Sequence, residues 1–343
     1  MALKAQVSVK PTQVGAGNVG VKRVVGTDLG FVQTKTVWGA GERERCKYSS
    51  LVKRRSEVAT EGLEDSEGYV ISCDTGVWNV GSKGTFDFTA ERLTKDSDLP
   101  KLLTSFGLLN RATAVSFIDL LVSGLPVAEF GTYREQFKEA LEGTFHFGFG
   151  NARVVMNVRE ALVIPQSAGA FYDFGLTDTG EIREEPLLSE DVLVLDIGGR
   201  TSDGCIMEKS KYSQDSFTIV QGVWKVQNEL RKLIARKYRF TLQPAEVDAV
   251  LRSGMLKLGG SEEDVSDLVT KAVETVFPSV RDELSLYVED FRRFSAILLA
   301  GGGGYVYHDY IADFAKVPTI LLPDAEYSNA NGYRKYGLLK LGA

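Results

Sequence analysis

Two aspartates stand at the ends of short apolar segments, and each is followed by a glycine turn. Asp28 precedes Gly30, and Asp196 precedes Gly198 and Gly199. Such a turn exposes backbone N–H groups that can surround phosphate oxygens. A carboxylate repels phosphate, but it can hold Mg²⁺, usually through water. The two turns therefore predict a pair of jaws that face one cleft and hold a nucleoside triphosphate with its metal.

A third glycine cluster, residues 301–304, directly follows the apolar segment 295–300. The chain has 35 glycines in 343 residues, which exceeds the ~7% of an average protein. We assign the informative ones to three turns: Gly26 with Gly30, Gly198 with Gly199, and the 301–304 cluster. Taken alone, each turn is better explained as an ordinary hairpin. The three together favour a nucleotide site.

Two further glycine-rich segments match nucleotide motifs in spacing only. Residues 15–20 read GAGNVG, but the dinucleotide fingerprint requires a strand before it and a helix after it. Here Pro11 precedes the segment and a predicted strand follows it. Residues 76–83 end in GSK, whereas a phosphate-binding loop ends in GK followed by Ser or Thr. We predict that neither segment binds phosphate.

Apolar segments alternate with amphipathic ones along the chain, which predicts an α/β fold. The predicted strands are residues 21–26, 34–38, 151–158, 161–164, 191–196, 204–208, 295–300 and 319–322, with a hairpin over 69–80. The predicted helices are residues 99–109, 112–123, 167–174, 223–238, 244–251, 262–277, 281–291, 305–314 and 329–339. Residues 133–141 fit a strand or a short helix.

The sequence also contains an internal repeat. Residues 24–39 and 193–207 each read as an apolar strand, an Asp-x-Gly turn and a returning strand. A repeat at about half the chain length predicts two duplicated domains, whose equivalent turns face the same cleft.

Composition excludes several classes of protein. The net charge of −6 argues against a chain that coats nucleic acid directly. Three scattered cysteines and two isolated histidines argue against a disulfide framework and a zinc site, and they favour a reducing cytoplasm. The sequence has no signal-peptide core and no apolar stretch long enough to span a membrane, so we expect a soluble cytoplasmic protein.

Five segments resemble, in order, the motifs of the actin-like ATPases, especially the ParM/StbA plasmid-partition branch and its archaeal relatives. They are residues 26–35, 163–170, 192–203, 298–304 and 329–333. The resemblance implies an α/β, actin-like ATPase fold, in which duplicated ribonuclease-H-like domains surround a nucleotide cleft. It also implies an irregular lead-in (1–20), domain I (21–175 with a C-terminal helix, 329–343) and domain II (176–328).

The resemblance implies catalytic and metal-binding roles. Asp28 and Asp196 hold Mg²⁺ through water, and Asp203 helps to orient the water bound to the metal. Gln166 occupies the position of the residue that orients the attacking water. Because an amide is no strong base, its contribution is positioning.

The resemblance also divides the nucleotide contacts between the phosphates and the nucleoside. For the phosphates it implies Lys35 as a point charge and the backbone of Gly30, Phe31, Val32, Gly198, Gly199, Arg200 and Thr201. For the nucleoside it implies Gly301, Gly302 and Gly303, with Glu229 and Lys232 on the helix lining the pocket. Val32 departs from the family, which often has glycine or a small polar residue there, so a hydroxyl contact to the γ-phosphate is missing.

The implied function is an ATPase that forms nucleotide-dependent polar filaments of its own copies and segregates plasmid or other DNA through a DNA-binding adaptor protein. The implied cofactors are ATP or ADP, with GTP also possible, and Mg²⁺. Since one fold hosts unrelated activities, three alternatives stay open: a sugar or metabolite kinase, a chaperone-type ATPase and a non-polymerising nucleotide-gated scaffold. The chaperones carry a substrate domain after the core, and the compact branch of the kinases carries a zinc motif, which disfavours these two groups; a metabolite kinase of another branch and the scaffold stay as the alternatives.

Overall fold

The predicted strand-turn-strand units around Asp28 and Asp196 are both antiparallel hairpins in a computed structural model of the chain. The structure describes residues 22–55, 68–82, 84, 97–183 and 186–342. The predicted lead-in, with the GAGNVG segment, lies outside these residues.

The elements of the described residues are given in chain order. The strands are β1 (Val24–Leu29), β2 (Gln33–Val37), β3 (Arg45–Ser49), β4 (Val52–Arg54), β5 (Tyr69–Cys73), β6 (Gly76–Val80), β7 (Phe117–Ile118), β8 (Leu120–Leu125), β9 (Gly143–Phe149), β10 (Ala152–Val158), β11 (Ala161–Pro165), β12 (Asp191–Ile197), β13 (Ser202–Glu208), β14 (Lys211–Tyr212), β15 (Phe217–Ile219), β16 (Met255–Leu258), β17 (Ser261–Asp264), β18 (Ala296–Ala300) and β19 (Thr319–Leu321). The α-helices are α1 (Leu99–Thr113), α2 (Val127–Leu141), α3 (Ala168–Gly175), α4 (Trp224–Tyr238), α5 (Pro244–Ser253), α6 (Ser266–Tyr287), α7 (Gly304–Ala315) and α8 (Ser328–Leu341).

Two sheets share one topology, which confirms the predicted duplication. In the first, with order β11-β8-β1-β2-β3, β1 pairs antiparallel with β2 and parallel with β8, and β8 pairs parallel with β11. In the second, with order β14-β13-β12-β18-β19, β12 pairs antiparallel with β13 and parallel with β18, and β18 pairs parallel with β19. The strands β1 and β12, which carry the two aspartates, are therefore equivalent central strands.

Helices α3 and α8 lie between the two sheets. Their apolar side chains share one core with residues of both central strands, among them Val24 of β1 and Val194 of β12. The helix α8 also contacts β1 and β8 directly. A third sheet, with order β4-β6-β5-β9-β10-β7, packs with the first sheet around α1. The C-terminal helix thus belongs structurally with the first sheet, while the exact domain boundaries stay predictions.

Several predicted elements differ from the structure. Residues 112–123 do not form a helix, because α1 ends at Thr113 and β7 and β8 follow; β8 is buried between β1 and β11, where every side chain is apolar or small. The helices predicted at 262–277 and 281–291 form the single helix α6, which contains Pro278 and begins only after the hairpin of β16 and β17. Residues 133–141 belong to α2.

The segment that resembled a phosphate loop begins with strand β6 in a hairpin with β5, so its glycine does not open a helix. All three cysteines are free thiols, as expected from their spacing. Among the residues that the structure describes, no helix combines the length and apolar character needed to cross a membrane.

Candidate nucleotide site

The first jaw is the turn between β1 and β2. Asp28 lies opposite Lys35 in the strand register, and the Lys35 Nζ is 3.6 Å from the Asp28 Oδ2. Gly30, Phe31 and Val32 form the connection. A Cβ added to Gly30 would lie 2.4 Å from the carbonyl oxygen of Gln33, so this tight turn requires glycine. The turn therefore presents a lysine and a buried carboxylate side by side.

The second jaw is the turn between β12 and β13, which contains Gly198, Gly199, Arg200 and Thr201. It is closed by a hydrogen bond of 3.0 Å from the Gly198 N–H to the Thr201 carbonyl. The start of α4 supports it from behind, since the Val223 and Trp224 N–H groups donate to the carbonyls of Gly198 and Gly199. These helix N–H groups hold the turn in place and are not available to a phosphate.

The tips of the two jaws lie next to each other. A Cβ added to Gly199 would lie 3.3 Å from the Cγ2 of Val32, so the first turn and the second turn face each other as the repeat predicted. Val32 is 37% exposed. This apolar side chain occupies the position at which the family resemblance implied glycine or a small polar residue.

Asp196 is buried at the end of β12 without an ion-pair partner among the described residues. Burial raises the pKa of its carboxyl to about 6, and repulsion from Asp28 acts in the same direction. A hydrogen bond from the Asn329 amide, with Nδ2 2.7 Å from Oδ2, and the charge of Lys35 act in the opposite direction. The second jaw therefore carries a carboxylate whose charge the protein only partly compensates.

Asp203 is the cross-strand partner of Asp196 in the β12–β13 register. Directly opposed residues of an antiparallel pair project on the same face of the sheet, so the two carboxyl groups are neighbours. Asp203 is buried, and its Oδ1 accepts a hydrogen bond of 2.6 Å from the Thr218 hydroxyl on β15. This bond fixes the orientation of the carboxyl within domain II.

Gln166 follows β11 and reaches the first jaw from the side. Its Nε2 donates to the Asp28 Oδ1 at 3.0 Å, and its backbone carbonyl accepts from the Tyr333 hydroxyl of α8 at 2.9 Å. The structure therefore brings Gln166 together with Asp28 and Lys35. This geometry suits a group that orients a water molecule beside the phosphates.

The glycine cluster after β18 lies against the second jaw. Gly301 has a φ of +77°, and a Cβ there would lie 2.4 Å from the Asp196 Oδ1. The Gly303 N–H donates to the Ile197 carbonyl at 2.9 Å. At Gly302 an added Cβ would meet only the Nη2 of Arg252, at 4.0 Å. The cluster, called the glycine floor below, thus lies beside the Asp196 carboxylate and is open at Gly302, where Arg252 of α5 is the nearest side chain.

Arg252 is a residue that sequence reasoning missed at this floor. Its guanidinium lies 4.8 Å from the centre of the Tyr305 ring, and its Nε donates to Asp248 at 2.9 Å. Asp248 in turn accepts a hydrogen bond of 3.2 Å from Gln227 of α4. The helix positions alone could not have identified Arg252, because α5 comes close to the glycines only in the folded chain.

Glu229 and Lys232 of α4 pair with each other, with the Lys232 Nζ 3.2 Å from the Glu229 Oε2. Gln227 of α4 contacts α5 through its hydrogen bond to Asp248. The helical positions of Glu229 and Lys232 differ from that of Gln227 by 140° or more at 100° per residue. Their contact with the nucleoside stays a prediction.

Gly26 has a different role from the one predicted. It lies within β1, and an added Cβ would be 2.2 Å from the Ala330 carbonyl oxygen of α8. Its missing side chain therefore lets α8 pack closely on the sheet and is not part of the phosphate turn.

The side chains present fit a magnesium ion. Mg²⁺ prefers oxygen ligands and is held by one or two carboxylates together with water and phosphate oxygens. Asp28 and Asp196 supply such carboxylates, and Asp196 has no protein cation bound to it in the described part of the chain. The described part of the chain contains no group of three or more His, Cys, Asp or Glu that could hold a metal by itself. Phosphate and water would therefore have to complete the coordination.

Two sequence profiles match consecutive parts of the chain. Residues 26–169 match the N-terminal domain of actin-like proteins, and residues 194–313 match the C-terminal domain of the MreB-like archaeal actin homologues. The chain belongs to the actin-like proteins. The two matched segments contain the first and the second jaw, and the predicted actin-like fold is thereby confirmed.

Solved structures of other actin-like proteins have the same fold. The archaeal actin homologue Ta0583 superposes with a TM-score of 0.76 at 21% identity, over 94% of this chain and 100% of that one. The psk41 ParM protein gives 0.71 at 18% identity, over 93% and 98%. The ParM of a 15-stranded filament from Clostridium botulinum gives 0.65 at 20% identity, over 92% and 99%. A comparison with curated proteins gave no match.

Proposed function

We propose that this actin-like protein binds a nucleoside triphosphate with Mg²⁺, hydrolyses it and assembles into filaments that depend on the bound nucleotide. One observation carries the proposal. Two equivalent hairpins from duplicated domains carry Asp28 and Asp196 close enough for their charges to repel each other, and Gln166 is bonded to Asp28. A Ta0583 structure is a complex with ADP, which supports nucleotide binding by this chain as well.

Each residue of the cleft has a chemical task in this proposal. Lys35 provides a positive charge to the phosphates, and the backbone of the two turns binds their oxygens. Gln166 holds the attacking water in line, and because an amide barely accepts a proton, it acts by orientation. Mg²⁺, when bound, neutralises charge on the phosphate oxygens. Asp28 and Asp196 hold the water molecules around that ion.

Self-assembly is supported by the relatives. The Clostridium botulinum ParM forms a 15-stranded filament, and Alp12 also forms a filament. A head-to-tail contact between two different surfaces of one chain generates an open polymer instead of a closed ring. The nucleotide would favour a closed arrangement of the domains that assembles, and loss of the γ-phosphate would weaken it. DNA segregation in the cytoplasm through an adaptor protein is the use that we propose for the filament.

Sedimentation of the protein with ATP, with GTP, with ADP and without nucleotide tests the proposal, with electron microscopy of the pellets. We expect polymer with a triphosphate and Mg²⁺ and little or none with ADP or EDTA. Absence of polymer at micromolar concentrations, together with phosphate transfer to a sugar, would replace the filament by the metabolite kinase.

The cleft itself is tested by Asp196→Ala, which should abolish Mg²⁺-dependent release of phosphate. Wild-type turnover in this variant would refute the cleft as assigned. The matched control is Asp215→Ala, an exposed aspartate in the loop after β14, which should keep the wild-type rate.

A further inference from the structure

Asn329 has an unusual position for a side chain outside the predicted site. It lies in the first turn of α8 and is 5% exposed. Its Nδ2 donates to the Asp196 Oδ2 at 2.7 Å. The hydrogen bond joins the C-terminal helix, which packs on the first sheet, to the central strand of the second sheet.

The other half of the same amide has no partner. The Asn329 Oδ1 is buried and accepts no hydrogen bond from the residues that the structure describes. A buried acceptor without a partner costs about 1–3 kcal/mol. Most such atoms in native proteins are paired with protein or with ordered water, so an exception requires an explanation.

Reversing the amide does not remove the problem. An ionised carboxylate only accepts hydrogen bonds, so the amide nitrogen, and not the oxygen, must contact the Asp196 oxygen. The backbone of α8 also has no room to shift and carry this side chain to another position. A Cβ added to Gly169 of α3 would lie 2.7 Å from the Asn329 carbonyl oxygen and 2.8 Å from its Cα, so the start of α8 is wedged against α3.

We propose that Asn329 is part of the magnesium site: its N–H fixes the Asp196 carboxylate, and its Oδ1 accepts a hydrogen bond from water bound to the metal. This inference rests on the proposed Mg²⁺-nucleotide function. Groups that orient the ligands of a metal typically change its affinity by 10–100-fold when they are removed. A bound metal would thereby connect α8, through Asn329, with the second sheet, through Asp196.

Titration of Mn²⁺ into the ADP-bound protein, followed by electron paramagnetic resonance, tests the inference. Asn329→Ala should weaken Mn²⁺ binding by about 10–100-fold, while its affinity for ADP in EDTA stays within about twofold of wild type. Asn331→Ala is the control, since Asn331 lies on the same helix but its Nδ2 is 3.4 Å from Asp324. It should bind Mn²⁺ as the wild type does.

Mn²⁺ affinity of Asn329→Ala within twofold of wild type would overturn the inference. If that variant does not fold, as judged by ADP binding in EDTA, Asn329→Leu decides the matter. Leucine has about the size of asparagine but carries neither a donor nor an acceptor, so Mn²⁺ affinity should again fall by about 10–100-fold; an affinity within twofold of wild type would contradict the role of the amide. A wild-type protein that binds no Mn²⁺ with ADP would instead refute the proposed function.

Discussion

At the scale of residues, the two jaws share a register but differ in charge. Asp28 on β1 faces Lys35 on β2, whereas Asp196 on β12 faces Asp203 on β13. The first hairpin thus supplies its own positive charge, while the second opposes two carboxyl groups. Because burying a charge without compensation is costly, Asp196 is the group that gains most from a bound cation.

The protonation of Asp196 should be visible in the stability of the metal-free protein. Its carboxyl has a pKa of about 6 in the folded state, against 3.8 as the ordinary value. The folded state therefore holds this proton to a higher pH than the unfolded state does. Stability from this group is present below pH 4 and lost as the pH rises through 6, by about 3 kcal/mol in all.

Urea unfolding in EDTA at pH 4.5 and pH 7.5 measures this loss when the unfolding free energies of the wild type and of Asp196→Asn are compared. Asp196→Asn cannot titrate, so it should gain about 2 kcal/mol relative to wild type between these pH values. The comparison removes the effect of other groups such as Asp173, whose pKa burial also raises. An unchanged difference between the two proteins would show that Asp196 does not titrate in this range.

Gln166→Ala should separate hydrolysis from binding. Loss of a group that positions the attacking water costs about 2–4 kcal/mol of transition-state stabilisation by analogy with lost oxyanion donors, so phosphate release should slow by about 30–1,000-fold. Sedimentation with ATP should still give polymer, and it should persist longer. Gln136→Ala, at an exposed position of α2, serves as the control; equal turnover in both variants would argue against the role of Gln166.

At the scale of elements, local patterns predicted about half of the strands and most of the helices, but they missed the hairpin of β16 and β17 and the strand β8, which depends on distant partners. Both hairpins and the helix α4 follow from alternation and from helical spacing. Residues 112–123 look helical by composition, yet β8 forms there because parallel pairing with β1 and β11 buries it on both sides. The two helices predicted at 262–277 and 281–291 are one helix, α6, with Pro278 inside it.

The contact between α3 and α8 is one that no local pattern reveals, and it depends on glycines. A Cβ added to Gly332 would lie 1.7 Å from the Gly169 carbonyl oxygen. Gly332→Ala must therefore push α8 away from α3, and we expect a loss of about 3 kcal/mol or more in unfolding free energy. Thermal and urea unfolding measure it.

A second glycine provides the matched control. Gly131 lies inside α2, and an added Cβ would meet nothing within 4 Å. Gly131→Ala should stabilise the protein by about 0.5–1 kcal/mol, since alanine loses less backbone entropy in a helix. Similar effects of the two substitutions would mean that helix propensity, and not the α3–α8 contact, determines the result.

At the scale of the whole molecule, the sequence repeat predicted two domains and one cleft, because each copy carries its own strand-turn-strand signal. It could not predict what joins them. The segment before α8 is fixed to the glycine floor of the second sheet, since the Gly301 N–H donates to the Ala325 carbonyl at 2.7 Å. The same segment pairs with β3 of the first sheet, where the Lys47 Nζ lies 3.0 Å from the Glu326 Oε2.

This pair should influence assembly more than it influences stability. Its side chains are 36% and 25% exposed, so breaking it costs at most about 1 kcal/mol. If the pair forms only in the closed arrangement, the same energy shifts the equilibrium between open and closed domains by about fivefold. Lys47→Ala should therefore raise the critical concentration for assembly with ATP by about two- to fivefold, measured by sedimentation.

The partner substitution tests whether the effect belongs to the pair. Glu326→Ala should raise the critical concentration equally, and the double variant should differ little from either single one, because both remove the same interaction. The charge exchange Lys47→Glu with Glu326→Lys should restore much of the loss. Additive single effects would show that each side chain acts separately, in which case the ion pair between β3 and the segment before α8 does not link domain closure to assembly.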